Sequence, residues 1–142
     1  MKRAFVAAAL CLSITTALAG CGLGGYKDGV YTGTSGKDEY GAYGEITITV
    51  ENKKVSDCKY VTWQADGTIK DENYGKENGV ITNSELYAQA QLAVEAMKSY
   101  ADQFISKGKL ASVDAVSGAT VAYEQFREAA DNALKTQSAE KG

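Results

Sequence analysis

The sequence predicts an α+β domain, a small antiparallel β-sheet packed on one face by two main helices. Three observations predict it. Glu45 to Glu51 alternates strictly, with Ile46, Ile48 and Val50 on one side and Glu45, Thr47, Thr49 and Glu51 on the other, as a half-buried strand must. Two later stretches repeat apolar residues every three or four positions instead, which is helical spacing. The strands all precede the helices rather than alternating with them, and that order favours segregated layers over a parallel sheet.

Taken in order, Tyr26-Lys27-Asp28-Gly29 reads as a turn into a short strand, Val30 to Thr34. A glycine- and tyrosine-rich loop, Ser35 to Ala42, leads to the alternating strand. Asn52-Lys53-Lys54 supplies a hairpin turn. The return strand, Val55 to Trp63, alternates less cleanly, and a bulge near Ser56-Asp57 brings Cys58 and Tyr60 into phase with Val55. Gln64 to Gly79 is polar and punctuated by glycine, so a long loop is expected there.

Thr82-Asn83-Ser84-Glu85 fits a capping box with Thr82 as the cap. Leu86, Ala90, Val94, Met97, Ala101 and Phe104 then form one apolar stripe. Lys107 complements the helix dipole and Gly108 follows as a left-handed stop. The last helix spans about Thr120 to Thr136, with Ala122, Phe126, Ala129 or Ala130, and Ala133 or Leu134 inward. Residues 137–142 are left as a polar tail.

The N-terminus reads differently from the rest. Lys2 and Arg3 precede an uncharged run, Ala4 to Leu18, in the layout of a secretory signal over residues 1–20. The run is shorter than the ~20 residues a membrane-spanning helix needs. Leu18-Ala19-Gly20-Cys21 resembles the lipobox of bacterial lipoproteins, which implies cleavage before Cys21 and a lipid on its sulfur. Residues 21–25 then form a short glycine-rich tether, and 26–136 the folded domain. The expected location is the extracytoplasmic face of the cell membrane.

Composition narrows the chemistry. Loss of Lys2 and Arg3 leaves 13 basic residues against 18 acidic ones, a net charge of −5, which argues against a nucleic-acid partner. Of three cysteines only Cys58 lies in the domain, so no internal disulfide is available. There is no histidine, which excludes Ser-His-Asp triads and the common zinc sites.

The stretch that carries chemistry joins the two helices: Asp114-Ala115-Val116-Ser117-Gly118-Ala119-Thr120. A phosphate joined to Thr120 would lie at a helix start, where free N–H groups and the dipole favour an anion. Gly118 allows close backbone approach, Ala119 keeps the approach to the hydroxyl clear, and Ser117 could donate to a phosphate oxygen. The plainer alternative is that Ser117 or Thr120 is simply the helix N-cap. The stretch resembles the flavinylation motif of the FMN-binding domain family, which includes the C subunit of the sodium-pumping NADH:quinone reductase and the G subunit of the Rnf complex. Its pattern is Asp, any residue, a branched aliphatic, Ser or Thr, Gly, Ala, then Thr or Ser, and every constrained position is matched.

The resemblance covers most of residues 26–136 and implies FMN esterified through its phosphate to Thr120 by a separate ApbE-type flavin transferase. It implies an electron carrier working with a membrane redox complex or an extracytoplasmic reductase. Asp114, a less obvious neighbour for a phosphate, is read as serving recognition by the transferase or holding the loop. Two rival readings stay open: a small FMN-dependent reductase, and a flavin-free binding lipoprotein or surface antigen. Gln64 to Gly79 lacks the Glu-Thr-Pro-Gly loop of the longer subunits, which leaves the ring-contacting residues open among Tyr40, Tyr43, Trp63, Tyr74 and Tyr123.

Overall fold

The structure is a computed structural model that describes residues 25–139. The expected signal, Cys21 and all of the tether except Gly25 lie outside the described residues, as do 140–142. Three strands, β1 (Gly29–Thr34), β2 (Tyr43–Glu51) and β3 (Lys54–Trp63), precede α1 (Ser84–Lys107), a 3-10 turn (Leu110–Ser112) and α2 (Thr120–Ala139). The sheet is antiparallel in the order β1-β2-β3, and α1 packs on β3 while α2 packs on β1 and β2. The α+β class therefore holds.

The hairpin follows from its residues. Asn52 and Lys53 both adopt positive φ, 54° and 65°, and Glu51 pairs directly with Lys54, so the turn has two residues rather than three. Such a turn matches the right-handed twist of its strands. Asp28 holds it from outside, its carboxylate accepting the N–H groups of Asn52 (3.0 Å) and Lys53 (2.7 Å). The register steps from Thr49 opposite Asp57 to Val50 opposite Val55, leaving Ser56 as the extra residue of a bulge. That bulge puts Val55, Cys58 and Tyr60 on one buried side, as the disturbed alternation implied.

Ile46, Ile48 and Val50 are almost wholly buried beneath the helices, against Tyr100, Phe104 and Phe126. Gly33 explains how closely α2 approaches β1. A Cβ at Gly33 would stand 2.8 Å from the Ala133 Cα and collide with the adjoining helix backbone, so only glycine fits beneath the Ala129–Ala133 ridge.

Three expectations are corrected. The cap of α1 is Asn83, not Thr82: its side-chain oxygen accepts from Glu85 N (3.0 Å) and Leu86 N (3.1 Å), the geometry a short amide in an extended conformation provides. Leu86 is 60% exposed instead of buried, because the first turns of α1 run past the end of the sheet. α2 continues to Ala139, beyond the expected end at Thr136, and the Gln137 side-chain Oε1 accepts from Lys27 N (3.4 Å). Gly108, with φ 73°, ends α1 as expected.

The two helices start at the same end of the sheet. Met97 meets Thr62 and Gln125 meets the Ala42 carbonyl there. Tyr26 meets Phe104 and Lys27 meets Gln137 at the other end. The connection from Gly108 to Ala119 must therefore climb back along the helices, and this return path carries the motif.

Candidate functional site

Side chains of α1 hold the returning loop at successive points. Gln103 clamps Asp114 through both backbone groups, accepting its N–H (2.8 Å) and donating to its carbonyl (3.2 Å). Lys107 reaches the Asp114 carboxylate at 2.7 Å and Gln103 Oε1 at 3.0 Å. The Asp114 side chain is 83% exposed, so the pair adds little stability in water and serves to orient the loop. Of the two roles the sequence allowed Asp114, holding the loop is the one these contacts supply.

One level higher, Tyr100 ties two points together. Its hydroxyl accepts the Val116 N–H (3.0 Å) and donates to the Ala119 carbonyl (3.2 Å). Tyr100 is fully buried, and burial raises its hydroxyl above the ordinary tyrosine value, so the proton it donates stays in place. From the α2 side, the Tyr123 hydroxyl donates to the Val113 carbonyl at 2.9 Å. Tyr100, Gln103 and these roles of Lys107 and Tyr123 were not foreseen. Tyr100 sits three residues after Met97 on the apolar stripe, and that spacing was its only visible signal.

Tyr100→Phe would keep the ring and remove both bonds. Its expected effects are a stability loss of about 1–2 kcal/mol and slower flavin attachment at Thr120, measured by denaturant melts and by timed mass spectra. An unchanged attachment rate would show that the hydroxyl has no part in presenting the loop.

Gly118 takes φ +86°, a left-handed value that ordinary side chains resist. A Cβ there would lie 2.9 Å from Leu92 Cδ2, so the loop turns tightly against α1 just before Thr120. Ser117 and Thr120 are exposed, and neither hydroxyl makes a hydrogen bond among the described residues. Neither acts as the N-cap. Ala119 occupies that position, and its carbonyl accepts the first helical bond, from Tyr123 N (3.1 Å). The N–H groups of Thr120, Val121 and Ala122 have no acceptor among the described residues. α1 closes its own N-terminus with Asn83, whereas α2 offers an open one beside a free hydroxyl. The open N–H groups and the exposed Ser117 and Thr120 hydroxyls fit a phosphate ester, whereas Ala119, expected to keep the approach clear, is turned into the core at 4% exposure.

The aromatic candidates scatter. Tyr123 is committed to the loop, with the Arg127 guanidinium 5.8 Å from its ring centre. Tyr43 pairs with Trp63 across β2 and β3, and strand alternation puts both on the sheet face away from the helices. Tyr40 is largely exposed. Tyr74 lies under Lys70, 4.8 Å from ring centre to Nζ, in the loop before α1. A cavity of about 240 Å³ lies between β3, the segment 69–72 and the Gln91, Val94 and Lys98 side of α1, on the flank of the helix away from the motif. Cys58 is buried, and that burial pushes its thiol up to about 12, so it stays protonated at neutral pH.

The fold and site thus define a small α+β domain with a loop-held, exposed threonine at an uncapped helix start. Residues 40–135 match the FMN-binding domain family, and the chain belongs to that family; it is a flavin-binding protein whose cofactor is FMN. The fold is also similar to the crystal structure of the CPE2226 protein from Clostridium perfringens, with a TM-score of 0.63 at 23% identity over 82% of this chain and 92% of that one. No curated protein matches.

Proposed function

We propose that the protein is an exported lipoprotein that carries FMN covalently on Thr120 and relays electrons outside the membrane. The observation that carries this reading is the Thr120 hydroxyl, exposed and unbonded beside the open N–H groups of α2, at the last position of the seven-residue motif. The flavin supplies one- or two-electron chemistry, and the protein supplies position and surroundings. Tyr100, Gln103 and Lys107 hold the loop so that an ApbE-type flavin transferase meets the hydroxyl. The dipole and N–H groups of α2 stabilise the ester's remaining negative charge.

Covalent attachment keeps the cofactor from diffusing away outside the cell. A lipid on Cys21 confines the carrier beside a membrane redox complex or an extracytoplasmic reductase. No described helix is long and apolar enough to cross a membrane. Tyr26 and Lys27 pack at the end of the domain opposite Thr120, so an anchor at Cys21 would leave the flavin end free for a partner.

The test is coexpression with a flavin transferase, then denaturing electrophoresis read by flavin fluorescence. A fluorescent band is expected, and a dark one overturns covalent attachment. Cys21→Ala is expected to move the protein from the membrane fraction to the soluble fraction. Retention of that variant in membranes would overturn the lipid anchor and leave the flavin reading intact.

A further inference from the structure

We infer that the isoalloxazine ring of the flavin on Thr120 rests against the overhanging start of α1, on the face formed by Leu86, Gln89 and Ala93; the inference rests on the Thr120 assignment made above. α1 is longer than the sheet it covers. Met97 already stands opposite Thr62 (3.4 Å from its hydroxyl to Sδ), and β3 ends at Trp63. The turns from Ser84 to Ala93 therefore project beyond the strands.

The apolar stripe does not stop where the sheet does. Leu86, Ala93, Met97, Tyr100 and Phe104 follow spacings of seven, four, three and four, a single helical face. Burial fades along that face: Phe104 and Tyr100 are fully covered, Met97 is 6% exposed, Ala93 is half-buried and Leu86 is 60% exposed. An isolated exposed leucine would need no explanation. This one prolongs a core stripe that the described residues leave uncovered.

The overhang is bounded on both sides. On one flank the loop before α1 is fastened to it: Gln91 Nε2 donates to the carbonyls of Asp71 (3.1 Å) and Tyr74 (2.9 Å), and the Tyr87 hydroxyl to that of Glu72 (3.0 Å). Gly75 lies so close that a Cβ there would stand 2.7 Å from Ala90 Cβ. On the other flank Leu92 Cδ2 lies 2.9 Å from where a Cβ on Gly118 would stand, two residues from the attachment point. The strip left between them holds Leu86 and Ala93 with Gln89 on its rim.

That chemistry suits a flat ring with one apolar and one polar half. Leu86 offers apolar surface and Ala93 is small enough to let the ring approach. The Gln89 side chain, exposed and without a hydrogen bond among the described residues, can both donate and accept, as the polar edge of the ring requires. The short span from Leu92 to Gly118 puts the strip within reach of a flavin held at Thr120.

The test uses Leu86→Glu, with Ala88→Glu on the outer side of the same turn as control, both coexpressed with a flavin transferase. Intact mass reports attachment; flavin fluorescence yield and visible circular dichroism report the ring's surroundings. Both variants should carry the flavin. Leu86→Glu should show severalfold brighter fluorescence and lose its visible dichroism as water reaches the ring, while Ala88→Glu should match the unsubstituted protein. Leu86→Ala, a milder change at an exposed position, should shift both signals in the same direction. A flavinylated Leu86→Glu with unchanged spectra overturns the ring site and leaves the Thr120 assignment standing. Absence of flavin from the unsubstituted protein overturns both.

Discussion

Thr120→Ala is expected to lose all covalently held flavin and to keep its fold. The substitution removes one hydroxyl that makes no hydrogen bond among the described residues and sits on an exposed side chain. Alanine is a better helix former than threonine, and the helix cap at this point is the Ala119 carbonyl, which the change leaves alone. Stability should therefore move by less than about 0.5 kcal/mol, as for other surface changes. Attachment should fall to nothing, because a methyl group cannot form the ester. Thr120→Ser, which keeps a hydroxyl at the same place, should restore it. Thermal melts and denaturing electrophoresis of the three proteins separate these outcomes. Loss of flavin with loss of fold would mean that Thr120 is structural.

Phe126→Ala should have the opposite signature, a large loss of stability from a residue that touches no part of the motif by hydrogen bond. Phe126 is fully buried. Its ring meets Tyr60 edge-on at 5.1 Å, Phe104 edge-on at 6.2 Å and Tyr100 tilted at 5.7 Å. One side chain therefore joins β3, α1 and α2. Truncating a buried phenylalanine costs about 3–5 kcal/mol, out of the roughly 5–15 kcal/mol that holds a small domain together. At about 4 °C per kcal/mol for a domain of this size, the melting temperature should drop by roughly 12–20 °C. Flavin attachment at low temperature should persist, since Thr120 and its loop keep their contacts to α1. A drop below about 5 °C would mean that the core closes around the cavity far better than the packing of these four rings suggests.

The contrast between these residues explains what was legible in the sequence. The strand from Tyr43 to Glu51 and both helices announce themselves because burial imposes a period, and a period survives in one dimension. The bulge at Ser56 was visible for the same reason, as a break in phase. Thr120, Gly118 and Ala119 were legible because the motif is contiguous, every constrained position lying within seven residues. Tyr100 and Gln103 were not. Their partners, Val116, Ala119 and Asp114, lie 11 to 19 residues away, and hydrogen bonds from a side chain to a distant backbone leave no pattern along the chain.

Leu86 was misread by the same logic that read the rest correctly. Periodicity reports which face of a helix turns inward, not where the sheet beneath it ends. The aromatics could not be sorted either, since Tyr43, Trp63 and Tyr123 differ only in which side of the fold they occupy. The shift of the α1 cap from Thr82 to Asn83 is smaller in kind. Both residues can cap a helix, and one step along the chain decides which oxygen meets Glu85 N and Leu86 N.

The most direct test of the account is peptide mass spectrometry on protein isolated from its native cells. The fragment spanning Asp114 to Arg127 should carry an added mass of about 440 Da, with fragmentation placing it on Thr120. The same fragment recovered wholly unmodified, or modified at Ser117 instead, would contradict the claim that this exposed helix-start hydroxyl is where the protein holds its flavin.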